Sequence, residues 1–436
     1  MTRTDLALHI QQTPMIDTHE HTATEQRFVQ EGPDVLQAIV SHYMAGDLRV
    51  AGASQQAIDF ASDGSNPDVE TRLAGIKQAW DRCRHTGYGR AARMVAKEFF
   101  DIEDLTVDAL RRAAPRIAAL RQPGQRLAIL RDKANLDHVQ IDSQSLACLP
   151  DASGPDFFLS DISWAKYVIV EDFTQQLHEV TGIHVRNLSS LREAFTVVFA
   201  KYGPCAIAVK TQHAYHRTLQ WRQRSDGEAE PCLQKFLAHK EMSLDEKLCL
   251  GDWCLARGVE LATQHNLPVK IHTGYYAGHS RMITQRIHPG LLCDLLIAYP
   301  NARFVLMHAG YPYSHELIAL AKHFPNVYMD LCWAWAMDPF STAEAVRKVI
   351  HGVPSNKLFA FGGDTFWPMT TWAYATQART WLTRSLQAEI ADGLLTEPEA
   401  IDLATQWMIG NQRQCFDIEG ARAAIAQAAA GRGTTC

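Results

Sequence analysis

The strongest constraint on this chain is a series of short apolar runs that alternate with helical segments and end in polar tips. Runs at 15–18, 136–141, 205–209, 268–271, 302–307, 326–329 and 358–361 read as strands. One more strand falls within 157–170. Helical spacing fills the intervals at 191–200, 245–265, 291–299, 314–324 and 343–350. Strands that alternate with helices imply parallel βα units. At least seven in one series favour a (β/α)8 barrel over a doubly wound sheet. No G-x-G-x-x-G follows the first strand and no G-x-x-x-x-G-K-[ST] occurs, which argues against a nucleotide site.

Between 25 and 125 the pattern changes. Segments 34–43, 69–84, 91–100 and 107–121 have helical spacing, with Asp68 and Thr106 as expected N-caps. The expectation is one barrel domain over 1–436, with 25–125 as a helical insertion after the first strand and 396–436 as a helical C-terminal tail.

Composition narrows the class of partner. The chain of 436 residues is 47% hydrophobic and 21% charged, with a formal net charge of −6. Its Lys and Arg residues are scattered, so nucleic acid and anionic membrane are not expected partners. The first dozen residues carry no apolar signal core, and no run is long enough to span a bilayer. Ten cysteines are spread singly with no C-x-x-C pair. That pattern reads as reduced thiols in a cytoplasm and removes zinc ribbons from consideration.

Chemistry collects at the strand ends. The first run finishes as Ile16-Asp17-Thr18-His19-Glu20-His21. Alternate residues of a strand share a face, so His19 and His21 point the same way and Glu20 points away. Two neutral imidazoles on one side can grip one metal ion. Later runs finish as Ile271-His272-Thr273-Gly274, Met307-His308-Ala309-Gly310 and Phe361-Gly362-Gly363-Asp364. Counted back along the series, His272 ends strand five, His308 strand six and Asp364 strand eight. Barrel enzymes draw their active sites from the C-terminal ends of different strands, and all four signals lie at such ends.

On these motifs, I-D-T-H-E-H, I-H-T-G, M-H-A-G and F-G-G-D, the sequence resembles the amidohydrolase superfamily of metal-dependent (β/α)8 barrels, in its family 2 type. The later half is also similar to the amidohydrolase-like domain that some fungal and plant proteins fuse to a glutamine synthetase-like domain. The resemblance implies a role for each residue. His19, His21 and His272 are metal ligands. His308 is a further ligand or faces the substrate. Asp364 ligates the metal and accepts the proton of the attacking water. One divalent ion is implied, zinc first, with manganese, iron or nickel also suited to such ligands.

Lys210, at the end of strand four, has two exclusive readings. In two-metal members a carbamylated lysine here bridges the ions; in others the lysine binds substrate. An uncarbamylated ammonium repels a cation, so the substrate-facing role goes with a single ion, and that is the expectation. Arg217, Tyr275 and Arg281 are expected substrate-binding residues, the two arginines as clamps for a carboxylate. His213, His216, Tyr276 and His279 lie on the same face of the barrel. Trp333, Trp335, Trp367 and Trp372 flank the last strands, mostly as packing.

The implied function is a metal-dependent hydrolase of a small, anionic C–N or C–O substrate, with Asp364 as general base and His308 assisting. Two alternatives stand beside it. One is a non-oxidative decarboxylase or uronate-isomerase-like enzyme on the same barrel. The other is an inactive barrel that serves as a binding protein. Self-association of the chain is an expectation by analogy of fold.

Overall fold

The computed structural model describes residues 4–278 and 282–431. His279 and Arg281, both read above as residues of the catalytic face, lie outside the described residues. Eight parallel strands form one sheet in the order β1 to β8. They are β1 (Met15–Glu20), β2 (Leu136–Ile141), β3 (Phe158–Ser163), β4 (Ala206–Thr211), β5 (Val269–Ile271), β6 (Phe304–Leu306), β7 (Val327–Asp330) and β8 (Leu358–Phe359). Every neighbour in chain order is a neighbour in space, with registers such as Val209↔Val269 and Ile271↔Leu306. This is the (β/α)8 barrel expected from the alternation.

Closure comes from the backbone beyond β8. The Thr18 amide donates to Phe361 O at 3.1 Å, and the Asp364 amide donates to His19 O at 2.8 Å. The far edge of β1 is thereby bonded to the segment that carries Asp364. No strand edge is left open there, and the two ends of the sheet come together at the site.

The strands read as apolar runs because each is covered on both faces. β4 is buried along its whole length, as are β5 and β6. Helices Leu188–Tyr202, Leu244–Gln264, Ser314–His323 and Pro339–Gly352 pack outside them. The barrel interior is not purely apolar. Lys270 Nζ on β5 sits 2.9 Å from both carboxylate oxygens of Asp161 on β3 and donates to Thr18 O on β1 at 2.7 Å. Lys270, Asp161 and Thr18 are fully buried.

The insertion is helical from Glu25–Glu31 to Gln125–Leu127. Asp68 and Thr106 cap their helices, accepting from the amides of Thr71 and Ala109. The segment expected as a single helix over 34–43 breaks near its end. Val35–Val40 ends at Ser41, and a new helix runs Tyr43–Val50, with His42 at φ 60° between them. A non-glycine residue in that conformation is strained and forces the chain to turn. The 107–121 segment likewise divides at Pro115, where the missing amide cannot continue the helix. Pro368–Ala391, a 24-residue helix, was not anticipated, and the tail that follows is helical through Ala429.

Among the described residues, eight cysteines are free thiols. Cys205 is disulfide-bonded, which corrects the expectation that every cysteine is reduced. No helix among the described residues is long and apolar enough to cross a membrane.

Candidate metal centre and active site

β1 delivers His19 and His21 to the mouth of the barrel, and the turn after β8 delivers Asp364. The Nε2 atoms of both histidines lie 3.4 Å from Asp364 Oδ1. Their ligand atoms all fall within 4.8 Å of one another, as do those of His308, Cys332 and Asp364. His308 Nε2 stands 4.0 Å from the other carboxylate oxygen, Oδ2. Two strand-one histidines and the strand-eight aspartate therefore converge with the strand-six histidine beside them.

Hydrogen bonds to carbonyls settle which nitrogen of His21, His308 and His272 is bare. His21 Nδ1 lies 2.9 Å from Asp142 O. A carbonyl only accepts, so the proton is on Nδ1 and the Nε2 lone pair faces Asp364. His308 Nδ1 lies 3.1 Å from Cys332 O, which leaves its Nε2 bare, buried and without a partner. His272 is reversed. Its Nε2 lies 3.0 Å from Tyr275 O, so that nitrogen carries the proton and is spent. His272 lines the cavity and its ring centroid is 4.1 Å from that of His308. It belongs to neither cluster of converging ligand atoms, which departs from the ligand role expected for it.

Burial sets the charge states. It drives His19 and His272 well below the ordinary histidine value and His308 down to about 4; the nearby Lys210 cation adds to all three shifts. These imidazoles are neutral, the form that binds a metal. Burial opposes ionisation of Asp364. Its pairing with His19, and then the nearness of His308 and His21, outweigh it, and the carboxylate is held well below its ordinary range.

The backbone around the site is strained. His42, His308, Ala309, Trp333 and Asp364 all have φ between 53° and 65° without being glycine. Such residues cost roughly 1–3 kcal/mol each and persist only where the surroundings fix them. The glycines of the motifs answer to close packing. A Cβ on Gly363 would lie 1.9 Å from Glu20 Oε1, and one on Gly274 would lie 2.3 Å from Tyr311 O. Beneath Asp364, Glu20 accepts from the Thr365 amide at 2.5 Å, while Asp17 accepts from the amides of His19 and Gly363 at 3.1 Å. Burial raises Asp17 to about 7 and Glu20 well above its ordinary value, and the two carboxyls hydrogen-bond each other. This acid pair, turned away from the metal ligands, pins the two segments that carry them.

Lys210 ends β4 inside the same cavity, buried, and among the described residues no hydrogen bond or ion pair engages its Nζ. Arg217 does not share it. Its guanidinium is buried against Asp252 at 2.5 Å, with further bonds to Gln220 O at 3.0 Å and Thr218 O at 3.2 Å. The group expected to clamp a substrate instead ties its own loop to the Leu244–Gln264 helix. Tyr275 packs against Trp333, centroids 5.7 Å apart, beside the cavity, and its contribution to the site is the carbonyl held by His272.

The insertion supplies residues that the sequence reading did not single out. His42, Tyr43 and Arg49 line the cavity. Tyr43 hydrogen-bonds Asp364 and stacks on Trp333 with centroids 4.2 Å apart; burial pushes its phenol up. His42 opens onto the cavity, while the protein packed around its ring lowers it to about 4. A His-Tyr pair closing an otherwise apolar run was the available signal. It was hidden because the same spacing continues an amphipathic helix.

A family model described as amidohydrolase matches residues 220–397, which hold His272, His308 and Asp364. Protein fluG of Emericella nidulans is 28% identical over 244 residues, 53% of this chain and 27% of the relative. The chain thus spans about a quarter of that curated protein. Glucuronate isomerase from Caulobacter crescentus superposes with a TM-score of 0.78 at 18% identity, over 95% of this chain and 93% of the other. Uronate isomerase from Thermotoga maritima gives 0.76 at 14%, over 94% and 96%. At such identities the two structures speak for the fold alone. The second half of the barrel thus matches the amidohydrolase family model, and the fold is shared with these structures over nearly its whole length.

Proposed function

We propose that this chain is a metal-dependent hydrolase that cleaves a small C–N or C–O bond, in an amide, a lactone or a similar substrate that carries a carboxylate. The observation that supports it most is Asp364: a buried carboxylate whose Oδ1 stands 3.4 Å from the Nε2 atoms of both His19 and His21. His19 Nε2, His21 Nε2 and a carboxylate oxygen of Asp364 would hold one divalent ion, with zinc the first candidate. The fit rests on convergent nitrogen and oxygen donors and on the bare, buried Nε2 of His308, a polar atom that a ligand or substrate would satisfy. When bound, the ion supplies Lewis acidity to an oxygen of substrate or water.

The chain's own residues do the rest. Asp364 takes the proton of the attacking water through the oxygen that faces His308 and then returns it to the leaving group. His308 Nε2 is placed to accept a hydrogen bond from that proton. Tyr43 holds the carboxylate and, with His42, walls out bulk water. Lys210 Nζ, an unpaired cation at the same end, binds a substrate oxygen, and this role goes with one ion rather than two.

A second reading is favoured by the span of the structural likeness. The two isomerases share nearly the whole chain, helical insertion included, so an acidic sugar isomerised on the same residues is the alternative. One panel separates them. Metal-loaded protein is assayed on amides, lactones and esters, on uronates, and on aromatic acids. Hydrolysis that vanishes in Asp364→Asn is the expected result. Uronate interconversion without hydrolysis transfers the assignment to the isomerase reading. Full metal content with no turnover on any class leaves a binding protein and refutes both.

A further inference from the structure

We propose that Arg49, carried by the helical insertion, grips the substrate's carboxylate, and that the substrate is a small carboxylic acid whose acid group lies apart from the bond that reacts. The inference rests on the metal-site reading above, which makes His19, His21 and Asp364 the reacting end of the cavity.

Arg49 lines the same cavity as those three residues. It sits near the end of the Tyr43–Val50 helix, which is held down by the buried Tyr43, Met44 and Leu48. Its Nε donates to Gln55 Oε1 at 3.0 Å. That bond fixes the plane of the guanidinium, and among the described residues no acceptor takes Nη1 or Nη2. The nearest acid in sequence, Asp47, is occupied by the hydroxyl of Thr86 at 2.5 Å.

Charge makes the same case. Among the described residues Asp364 is the one carboxylate that lines the cavity, and it is already shared among His19, His21 and Tyr43. Arg49 and Lys210 therefore face the cavity without an acid of their own. They differ in place. Lys210 stands on β4 at the mouth of the barrel, and Arg49 stands near the end of the Tyr43–Val50 helix of the insertion. One cation serves the reacting end and the other a separate part of the wall. A planar fork with two free N–H groups matches a carboxylate better than it matches a hydroxyl or an amide. The cavity, about 380 Å³, is at the small end for ligand sites, so the molecule that spans both ends is small.

The test is equilibrium binding by titration calorimetry to metal-loaded protein. The probes are glucuronate, glutarate and benzoate, each against a neutral partner: glucose, glutaramide and benzamide. In wild type at least one acid binds, and binds more tightly than its neutral partner. Arg49→Gln weakens that acid about 10- to 100-fold, as for loss of a charged hydrogen bond, and leaves the neutral partner unchanged. Arg49→Lys falls between. An unaltered melting temperature and metal content in Arg49→Gln separate this from structural damage. Equal binding of the acid by wild type and Arg49→Gln overturns the proposal, and so does an absence of any acid preference across the panel. The metal-site reading fails differently, by absent metal or absent turnover, and neither alters the Arg49 comparison.

Discussion

Lys270→Met should be among the most damaging single substitutions in the barrel. The Lys270 ammonium and the Asp161 carboxylate are both fully buried, 2.9 Å apart, with Thr18 O as the third partner. Removing one member of such a pair leaves an uncompensated buried charge, which costs roughly 3–5 kcal/mol. With an unfolding entropy of about 2.1 cal/mol/K per residue, a chain of 436 residues has a total near 0.9 kcal/mol/K. The melting temperature should therefore fall by about 3–5 °C. The double variant Lys270→Met/Asp161→Leu removes both charges and should recover most of the loss.

The pH dependence fixes the sign. Burial raises Asp161 from 3.8 to about 6 even against the attraction of Lys270. Its carboxyl binds a proton in the folded state at a pH where the unfolded chain has released it. Without Lys270 it protonates at higher pH still. The deficit of Lys270→Met is thus largest near pH 7 and shrinks as pH falls towards 5. Scanning calorimetry of wild type, both single variants and the double at pH 5 and 7 tests this. A single-variant loss below about 1 °C, or a double-variant loss equal to the sum of the singles, would refute the buried pair.

Arg217→Gln should cost stability by a similar mechanism, since it strands Asp252, while leaving the affinity for acidic ligands as in wild type; calorimetry and titration together read both. Gly363→Ala should drive a Cβ into Glu20, displace Asp364 and lower metal retention more than ten-fold, measured by competition with a chelator. Asp137 is held below its ordinary 3.8, first by the hydrogen bond from His138 and then by Arg422 and Arg413. Its contribution to stability is present above that value and lost as pH falls through the lower folded one. Asp137→Asn should therefore melt below wild type at pH 7, with the gap closing in acid below about pH 4.

What was legible in the sequence followed from periodicity. Strands β2, β4 and β5 stand within a residue or two of their expected limits, because a barrel strand buried on both faces is an apolar run with a polar tip. His19, His21, His308 and Asp364 stand together at the barrel mouth for the same reason, each following such a run. Roles that depend on where a side chain spends its hydrogen bonds were not legible. His272 gives Nε2 to a carbonyl three residues on, and Arg217 turns back to a helix 35 residues later. Lys270 read as an ordinary strand residue because its partner comes from β3, across the barrel. His42, Tyr43 and Arg49 lie in an insertion whose helices were visible but whose docking was not, since the turn at His42 is a single strained residue inside a helical pattern.

The central claim is a single-ion site held by His19, His21 and Asp364, with Lys210 free for substrate. Elemental analysis of purified wild type, Asp364→Asn and Lys210→Met tests it most directly. The account predicts one divalent ion per chain, kept in Lys210→Met and largely lost in Asp364→Asn. Two ions per chain that fall on Lys210→Met would make the lysine a bridging ligand, and no ion under any loading condition would leave the converging histidines without their proposed purpose.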